Sequence, residues 1–184
     1  MLGFGYDADM IDRLDIRESL PGDLVAIETL YPEVFPEEDL LPLVRDLLRA
    51  APRVLSLVGI AGASLAGHVV FTTCGTTAEP DKAALLGPLA VAPAWQRQGI
   101  GTAIVRAGLQ RLEDAGAAQV YVLGDPAYYG RLGFGPEAGV APPYPLPAEW
   151  RGAWQSMSLG GAGPPRRGQL SVPPPWRQAR LWAP

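Results

Sequence analysis

Positive charge is scarce in this chain: 15 lysines and arginines stand against 19 aspartates and glutamates, a formal net charge of -4. Phosphate binding over a wide surface needs clustered positive charge, so nucleic acid is not expected as a partner. Cysteine is nearly absent too. Cys74 is the single one, so no internal disulfide can form, and a reducing cytoplasm is the expected setting. The chain begins Met1-Leu2-Gly3-Phe4-Gly5-Tyr6-Asp7. This start lacks basic residues followed by an apolar run, so it is not expected to act as a secretion signal. A long unbroken apolar segment is also missing. Val54 to Phe71 carries no formal charge and has the length of a membrane span, but Gly59, Gly62 and Gly67 divide it. The runs Val54–Ile60 and Leu65–Phe71 each have strand length, with small residues Ala61–Ser64 between them, so a hairpin is expected and no membrane contact.

What is present points to one folded domain. The chain has 184 residues, 48% of them hydrophobic, which suffices for a single buried core. Residues 1–12 read as a flexible leader. Leu14-Asp15-Ile16-Arg17 alternates apolar and polar, the pattern of a short strand. Pro21 and Asp23 open a helix that carries Leu24, Val25, Ile27 and Leu30. A second helix is expected from about Pro36, with Leu40, Leu41, Val44, Leu47 and Leu48 on one face. After the hairpin comes a polar loop, Gly75 to Lys82, and then the apolar strand Leu85–Val91. Pro88 inside that strand cannot donate a ladder hydrogen bond, so a bulge or a splayed strand is expected there. A long helix, Gly101 to Ala115, turns Ile104, Val105, Leu109 and Leu112 inward, and Gly116 ends it. Val120–Leu123 is a further strand, followed by a short aromatic helix from Pro126 to Leu132 and a last strand near Trp154–Leu159. The order of elements gives an α/β fold with helices packed on a central mixed sheet.

The segment Gln96-Arg97-Gln98-Gly99-Ile100-Gly101-Thr102 joins a buried strand to the long helix. The free N–H groups of a helix start and the helix dipole favour an anion. Gly99 and Gly101 let the backbone come close to a phosphate, Arg97 adds charge and Thr102 a hydroxyl. The segment therefore reads as a pyrophosphate cradle. It is not the dinucleotide pattern, because Ile104 stands where the third glycine belongs, and no Gly-Lys-Ser/Thr follows to make a P-loop. A plain strand-to-helix turn that uses glycine for tightness is the alternative.

Leu89-Ala90-Val91 followed by Gln96-Arg97-Gln98-Gly99-Ile100-Gly101 resembles the acyl-CoA signature of the GNAT superfamily of N-acetyltransferases. Downstream, Tyr128-Tyr129-Gly130-Arg131-Leu132-Gly133-Phe134 resembles that family's second signature, aromatic-Tyr-x-x-x-Gly-Phe. The stretch Gly124-Asp125-Pro126-Ala127-Tyr128-Tyr129 is similar to a bacterial branch whose substrates are mostly unassigned. The likeness runs from about Leu14 to Leu159. It implies a GNAT-type mixed central sheet with a splayed strand pair and flanking helices. It also implies acetyl-CoA as cosubstrate, with no metal, and an amine acceptor.

In that picture the pantetheine arm lies between Leu85–Val91 and Val120–Leu123, bonded to the backbone of Leu89 and Val91 next to Ala90. The amides of Gln96, Arg97, Gln98, Gly99, Ile100, Gly101 and Thr102 hold the pyrophosphate. A backbone N–H near Leu89 stabilises the oxyanion. The amine attacks directly, which leaves Cys74 as a buried small residue. Tyr129 is the expected general acid for the departing thiolate, and aromatic packing at a helix start is its bland alternative. Tyr128 contacts the cofactor or packs. The Leu85–Val91 strand has no carboxylate to serve as general base. Glu33, Glu38 and Asp125 remain as candidates, although Glu38 also suits a solvated helix face and Asp125 a helix cap. His68, the one histidine, reads as a strand residue with a satisfied partner.

Residues 13–159 thus form the expected domain and 160–184 an arm rich in proline and arginine. Pro173-Pro174-Pro175 suggests extended chain. The simpler reading lays the arm over the domain, with Trp176 and Trp182 filling grooves. The other makes it a dimer arm or an edge of the acceptor pocket, whose remaining walls come from loops such as Tyr31–Glu37 and Tyr144–Trp154. Small-metabolite acetylation leads. Acetylation of a protein N-terminus or lysine, and a non-catalytic acyl-CoA sensor or partner protein, are the rivals.

Overall fold

A computed structural model of the chain describes residues 14–50, 53–161 and 163–183. The expected leader, 1–12, lies outside them. The first strand is β1 (Leu14–Glu18), followed by helices α1 (Leu24–Val34) and α2 (Leu41–Arg49). Strands β2 (Val54–Ala61), β3 (Ser64–Cys74) and β4 (Ala83–Val91) come next, then the long helix α3 (Ile100–Asp114) and strand β5 (Gln119–Leu123). A single turn, α4 (Pro126–Tyr129), precedes short strands β6 (Gly135–Pro136) and β7 (Val140–Ala141), the longer β8 (Trp154–Ser158) and the short β9 (Gly168–Gln169). Seven strands form one sheet in the order β1-β2-β3-β4-β5-β8-β6. It is mixed: β4 and β5 pair in parallel, and the other neighbours run antiparallel.

The stretch that could pass for a membrane span folds as the β2–β3 hairpin, Val54 pairing with Thr72 and Ala61 with Ser64. Among the described residues no helix is long and apolar enough to cross a membrane.

Alternation along β3 sorts the core into two faces. Val69 and Phe71 point to one side, where Ile104, Val105 and Leu109 of α3 cover them. Val70 and Cys74 point to the other, against Leu43 and Leu47 of α2. Ile27, Leu30 and Tyr31 of α1 meet Val58 and Ala90 on that second side. The C-terminal segment also lies there. Trp176 donates its indole N–H to Thr72 Oγ1 at 3.0 Å, and Trp182 donates to the Trp176 carbonyl at 3.1 Å.

Two boundaries differ from the sequence pattern. The second helix starts at Leu41 rather than near Pro36. Residues before it form tight turns, with Glu38 N–H bonded to Phe35 O and Leu40 N–H to Glu38 O. Pro42 then sits in the first turn, where its missing N–H costs least. Helix α1 runs through Pro32 to Val34, so the first part of the expected loop Tyr31–Glu37 is helical, with Pro32 on the exposed side of the last turn. The paired strands β6, β7 and β9, two residues each, are too short to leave a periodic trace.

Trp182 is 1% exposed and its ring lies 6.0 Å from those of both Trp154 and Trp176. Truncating so large a buried side chain leaves a cavity, so Trp182→Ala should cost about 3–5 kcal/mol in urea unfolding. A loss near that of an ordinary surface substitution, within about 0.5 kcal/mol, would show that the C-terminal segment is not part of the core.

Candidate active site

The site begins where two strands part. β4 and β5 pair from Ala83↔Gln119 to Leu86↔Val122 and no further. Beyond Leu86 the strand continues through Gly87 and Pro88 but keeps only β3 as a neighbour, with a register shift between Val69 and Phe71. This is the splay expected at Pro88, which has no N–H to give a ladder.

The ladder on the β3 side fixes where the free backbone groups point. Ala92 N–H donates to Ala66 O at 2.9 Å. Antiparallel pairs alternate between hydrogen-bonded and non-bonded. With His68↔Ala90 bonded, the flanking pairs Gly67↔Val91 and Val69↔Leu89 turn the N–H and C=O of Leu89 and Val91 away from β3, into the split. Ala90 is buried against α1.

At the far end of β4 the chain turns into α3. Arg97 has φ 60° and Gly99 φ 83°, so two left-handed residues stand two apart. Glycine accepts this freely, whereas for Arg97 it costs about 1–2 kcal/mol. Such residues bring successive N–H groups to one concave side, an arrangement that binds anions. Two side chains pin the turn: Gln96 Nε2 donates to Val91 O and Gln98 Nε2 to Ala94 O, both at 2.9 Å. The amide side chains are therefore used within the loop. Residues 96–99 are exposed, and Ile100 turns its side chain into the core, leaving only its backbone to the loop.

Tyr128 closes over this helix start. A Cβ added to Gly101 would lie 2.7 Å from the Tyr128 hydroxyl and 3.2 Å from the Val91 side chain. The hydroxyl is buried with the Thr102 hydroxyl near it, and no hydrogen bond of good geometry reaches it among the described residues. Burial pushes its pKa up, and the Thr102 hydroxyl and Arg131 guanidinium work against that. Arg131 sits 5.7 Å from the ring centre.

Tyr129 stacks edge-on against Tyr128 at 4.9 Å and Phe134 at 5.6 Å. Its ring presses on Gly124, where even a methyl group would collide, and this places it just past the end of β5. Burial pushes its phenol up, so it holds its proton at neutral pH. Asp125 caps the turn beneath, accepting from Ala127 N–H at 2.9 Å.

On the opposite face of the sheet lies a cavity of about 560 Å³. Leu85–Pro88 and Leu123, from the two parting strands, line it, together with Glu37, Glu38, Asp39, Trp150, Arg180 and Trp182. Of the carboxylates weighed as a base, Glu38 borders this cavity. Glu33 is exposed on α1, and Asp125 serves as the cap. Cys74 is buried on β3, its thiol pushed up to about 12 chiefly by burial. His68 has both ring nitrogens bonded, to Tyr31 and Ser56. The loops holding Glu37 and Trp150, and the C-terminal arm in one of its two readings, are the expected pocket walls; the fold brings Arg180 and Trp182 beside them.

The chain belongs to the acetyltransferase (GNAT) family, whose model matches residues 24–134. It is 35% identical over 156 residues to the uncharacterized N-acetyltransferase YjhQ of Escherichia coli K12, covering 82% of this chain and 81% of that one. The crystal structure of the E. coli N-acetyltransferase YhbS in complex with CoA superposes with a TM-score of 0.79 at 28% identity, over 90% of this chain and 93% of YhbS. A GNAT acetyltransferase from Brucella melitensis in complex with acetyl-CoA gives 0.71 at 27% identity, over 89% and 97%. The protein is an acyltransferase, an N-acetyltransferase with acetyl-CoA as its cosubstrate.

The contact between Gly101 and Tyr128 makes a specific prediction. Gly101→Ala should push Tyr128 off the helix start and weaken acetyl-CoA binding about tenfold, seen as a smaller rise in melting temperature on adding acetyl-CoA. Adding Tyr128→Phe removes the colliding oxygen and should restore part of the rise. A double variant no better than Gly101→Ala alone would mean that the collision is not the cause.

Proposed function

We propose that this enzyme moves the acetyl group to the amine of a small metabolite, at the β4–β5 split, with donor and acceptor approaching from opposite faces of the sheet. One observation carries the reading: the strands part at Leu86↔Val122, and the cavity of about 560 Å³ is walled by both of them. Trp150 and Trp182 are among its walls, and its volume is that of a small-molecule site.

On the donor side the residues fit acetyl-CoA. The exposed turn Gln96–Gly99 and the start of α3 would hold the pyrophosphate by backbone N–H groups. The N–H groups of Ile100, Gly101 and Thr102 belong to the same helix start. Arg97 adds charge, and Thr102 and the unpartnered Tyr128 hydroxyl can each satisfy a phosphate oxygen. Leu89 and Val91 offer backbone groups to the amide-bearing arm, alongside Ala90. The bound thioester supplies the acetyl group.

The chemistry asks three things of the chain. An alkyl amine with pKa about 10.4 must lose a proton before it can attack. Glu37, Glu38 and Asp39 all line the cavity, and Glu38 among them would take it through water. The developing oxyanion needs a donor, and the Leu89 N–H faces the split. As the C–N bond forms and the C–S bond breaks, the sulfur needs a proton. Tyr129 would deliver it. A standing phenolate in that buried place is costly, so Tyr129 would pass on a proton that the amine releases rather than remain ionised. Cys74 takes no part, since its thiol stays protonated and sits on β3.

Free thiol released from acetyl-CoA across a panel of small amines tests this function. Tyr129→Phe should lower the maximal rate by roughly 10²–10⁴-fold, the range for a positioned acid, with little change in acetyl-CoA affinity. A thiol has a pKa of about 8.5, so the defect should shrink above that pH as the thiolate leaves unaided. Tyr128→Phe should be far milder. Full turnover by Tyr129→Phe at neutral pH, where chemistry limits the rate, would leave protonation to water.

A further inference from the structure

Four polar side chains apart from the loop and the cavity form one continuous line. Ser19 Oγ lies 2.7 Å from Ser56 Oγ, and Ser56 Oγ 2.8 Å from His68 Nε2. His68 Nδ1 lies 2.8 Å from Tyr31 Oη, which reaches the Pro88 carbonyl at 3.4 Å. His68 is fully buried and Tyr31 is 1% exposed, so water does not compete for either.

Counting protons gives this line a direction. It has four contacts and four protons to fill them: one on each serine, one on the imidazole, one on the phenol. Its last member, the Pro88 carbonyl, can only accept. Tyr31 must therefore donate to Pro88, and then has no proton left for His68. His68 must carry its proton on Nδ1 and donate to Tyr31, while its bare Nε2 accepts from Ser56, which accepts from Ser19. Burial pushes the imidazole down to about 3 against the pull of the Asp23 charge, which keeps it neutral and lets one nitrogen accept.

The far end of the line matters most. The Pro88–Leu89 peptide is trans and planar, so its C=O and N–H point opposite ways. A carbonyl drawn toward Tyr31 turns the Leu89 N–H the other way, into the split.

We propose that Ser19, Ser56, His68 and Tyr31 form a positioning chain that fixes the Pro88–Leu89 peptide plane and so aims the Leu89 N–H at the acyl group. Tyr31 and His68 touch no reacting atom; they act through that one peptide plane. The serines supply the chain's outer end, where Ser19 and Ser56 are half-buried. This inference rests on the reading that Leu89 serves the acyl group.

Two measurements test it. His68 is the sole histidine, so its ring nitrogens give an unambiguous NMR signature in the wild-type protein. The chain requires the Nδ1–H form, and an Nε2–H form would overturn it. In kinetics, Tyr31→Phe should lower kcat about tenfold, the rate equivalent of one hydrogen bond, with KM for the amine and acetyl-CoA affinity within about twofold. His68→Leu should do the same, and His68→Gln should recover most of the loss, since an amide can accept from Ser56 and donate to Tyr31 at once. A folded Tyr31→Phe protein with wild-type kcat would reduce the chain to core packing. Should Tyr31→Phe not fold, the tautomer still decides. Failure of the underlying reading looks different: hydrogen exchange at the Leu89 N–H of the wild-type protein would not slow on adding acetyl-CoA.

Discussion

The parting of β4 from β5 is the constraint on which the rest of the molecule depends. A parallel pair normally continues until both strands end, because every unpaired N–H and C=O in a sheet interior is costly. Here pairing stops at Leu86↔Val122, and β4 runs on with one neighbour. Pro88 removes a donor at that point, and the register on the β3 side slips between Val69 and Phe71. The Leu89 backbone groups and the Val91 N–H are left facing the split, while Gln96 takes the Val91 carbonyl. A sheet that gives up these bonds needs something to take them, and the bound cosubstrate of this family provides polar groups on an extended arm.

The two faces of the sheet hold this gap open in different ways. On one, α3 packs its apolar side on Val69 and Phe71 and presents its N-terminus, with the Arg97 and Gly99 turn, at the end of β4. Tyr128 and Tyr129 stand at right angles beside it. On the other, the C-terminal tryptophans cover Val70, Leu85 and Tyr121, and with α2 and the acidic 37–39 turn they bound the cavity. Removing either layer would not merely loosen the fold. It would also take away one side of the proposed site.

Much of this was legible in the sequence, and the reasons are local. Gln96–Thr102 is readable because its glycines, its charge and the helix after it lie within a few residues. Pro88 announces a broken ladder by its chemistry alone. Trp176 and Trp182 read as groove-filling residues because large aromatic side chains in a proline-rich segment need somewhere to go. The start of α2 was misplaced because the apolar period at Leu40 and Leu41 extends backward into residues that form turns. The cavity was only half legible. Glu37 and Trp150 fall in loops that the family resemblance marks as pocket walls and the arm was one possible edge, but which arm residues reach the cavity, Arg180 and Trp182, depends on the path of the C-terminal segment. The line from Ser19 to Tyr31 was not legible. His68 could be read as satisfied, but its partners Tyr31 and Ser56 come from α1 and β2, and nothing in the sequence states the register that brings them together.

Hydrogen–deuterium exchange of the backbone amides, with and without acetyl-CoA, tests the central claim most directly, because that claim concerns which N–H groups are free. The N–H groups of Leu89, Val91 and residues 97–102 lack strand partners or sit at the open end of α3. They should exchange fast in the free protein and slow down on adding acetyl-CoA, while the β2–β3 hairpin stays unchanged. Slowing confined to other segments, with Leu89 and the 97–102 turn unaffected, would contradict the placement of the donor at the β4–β5 split.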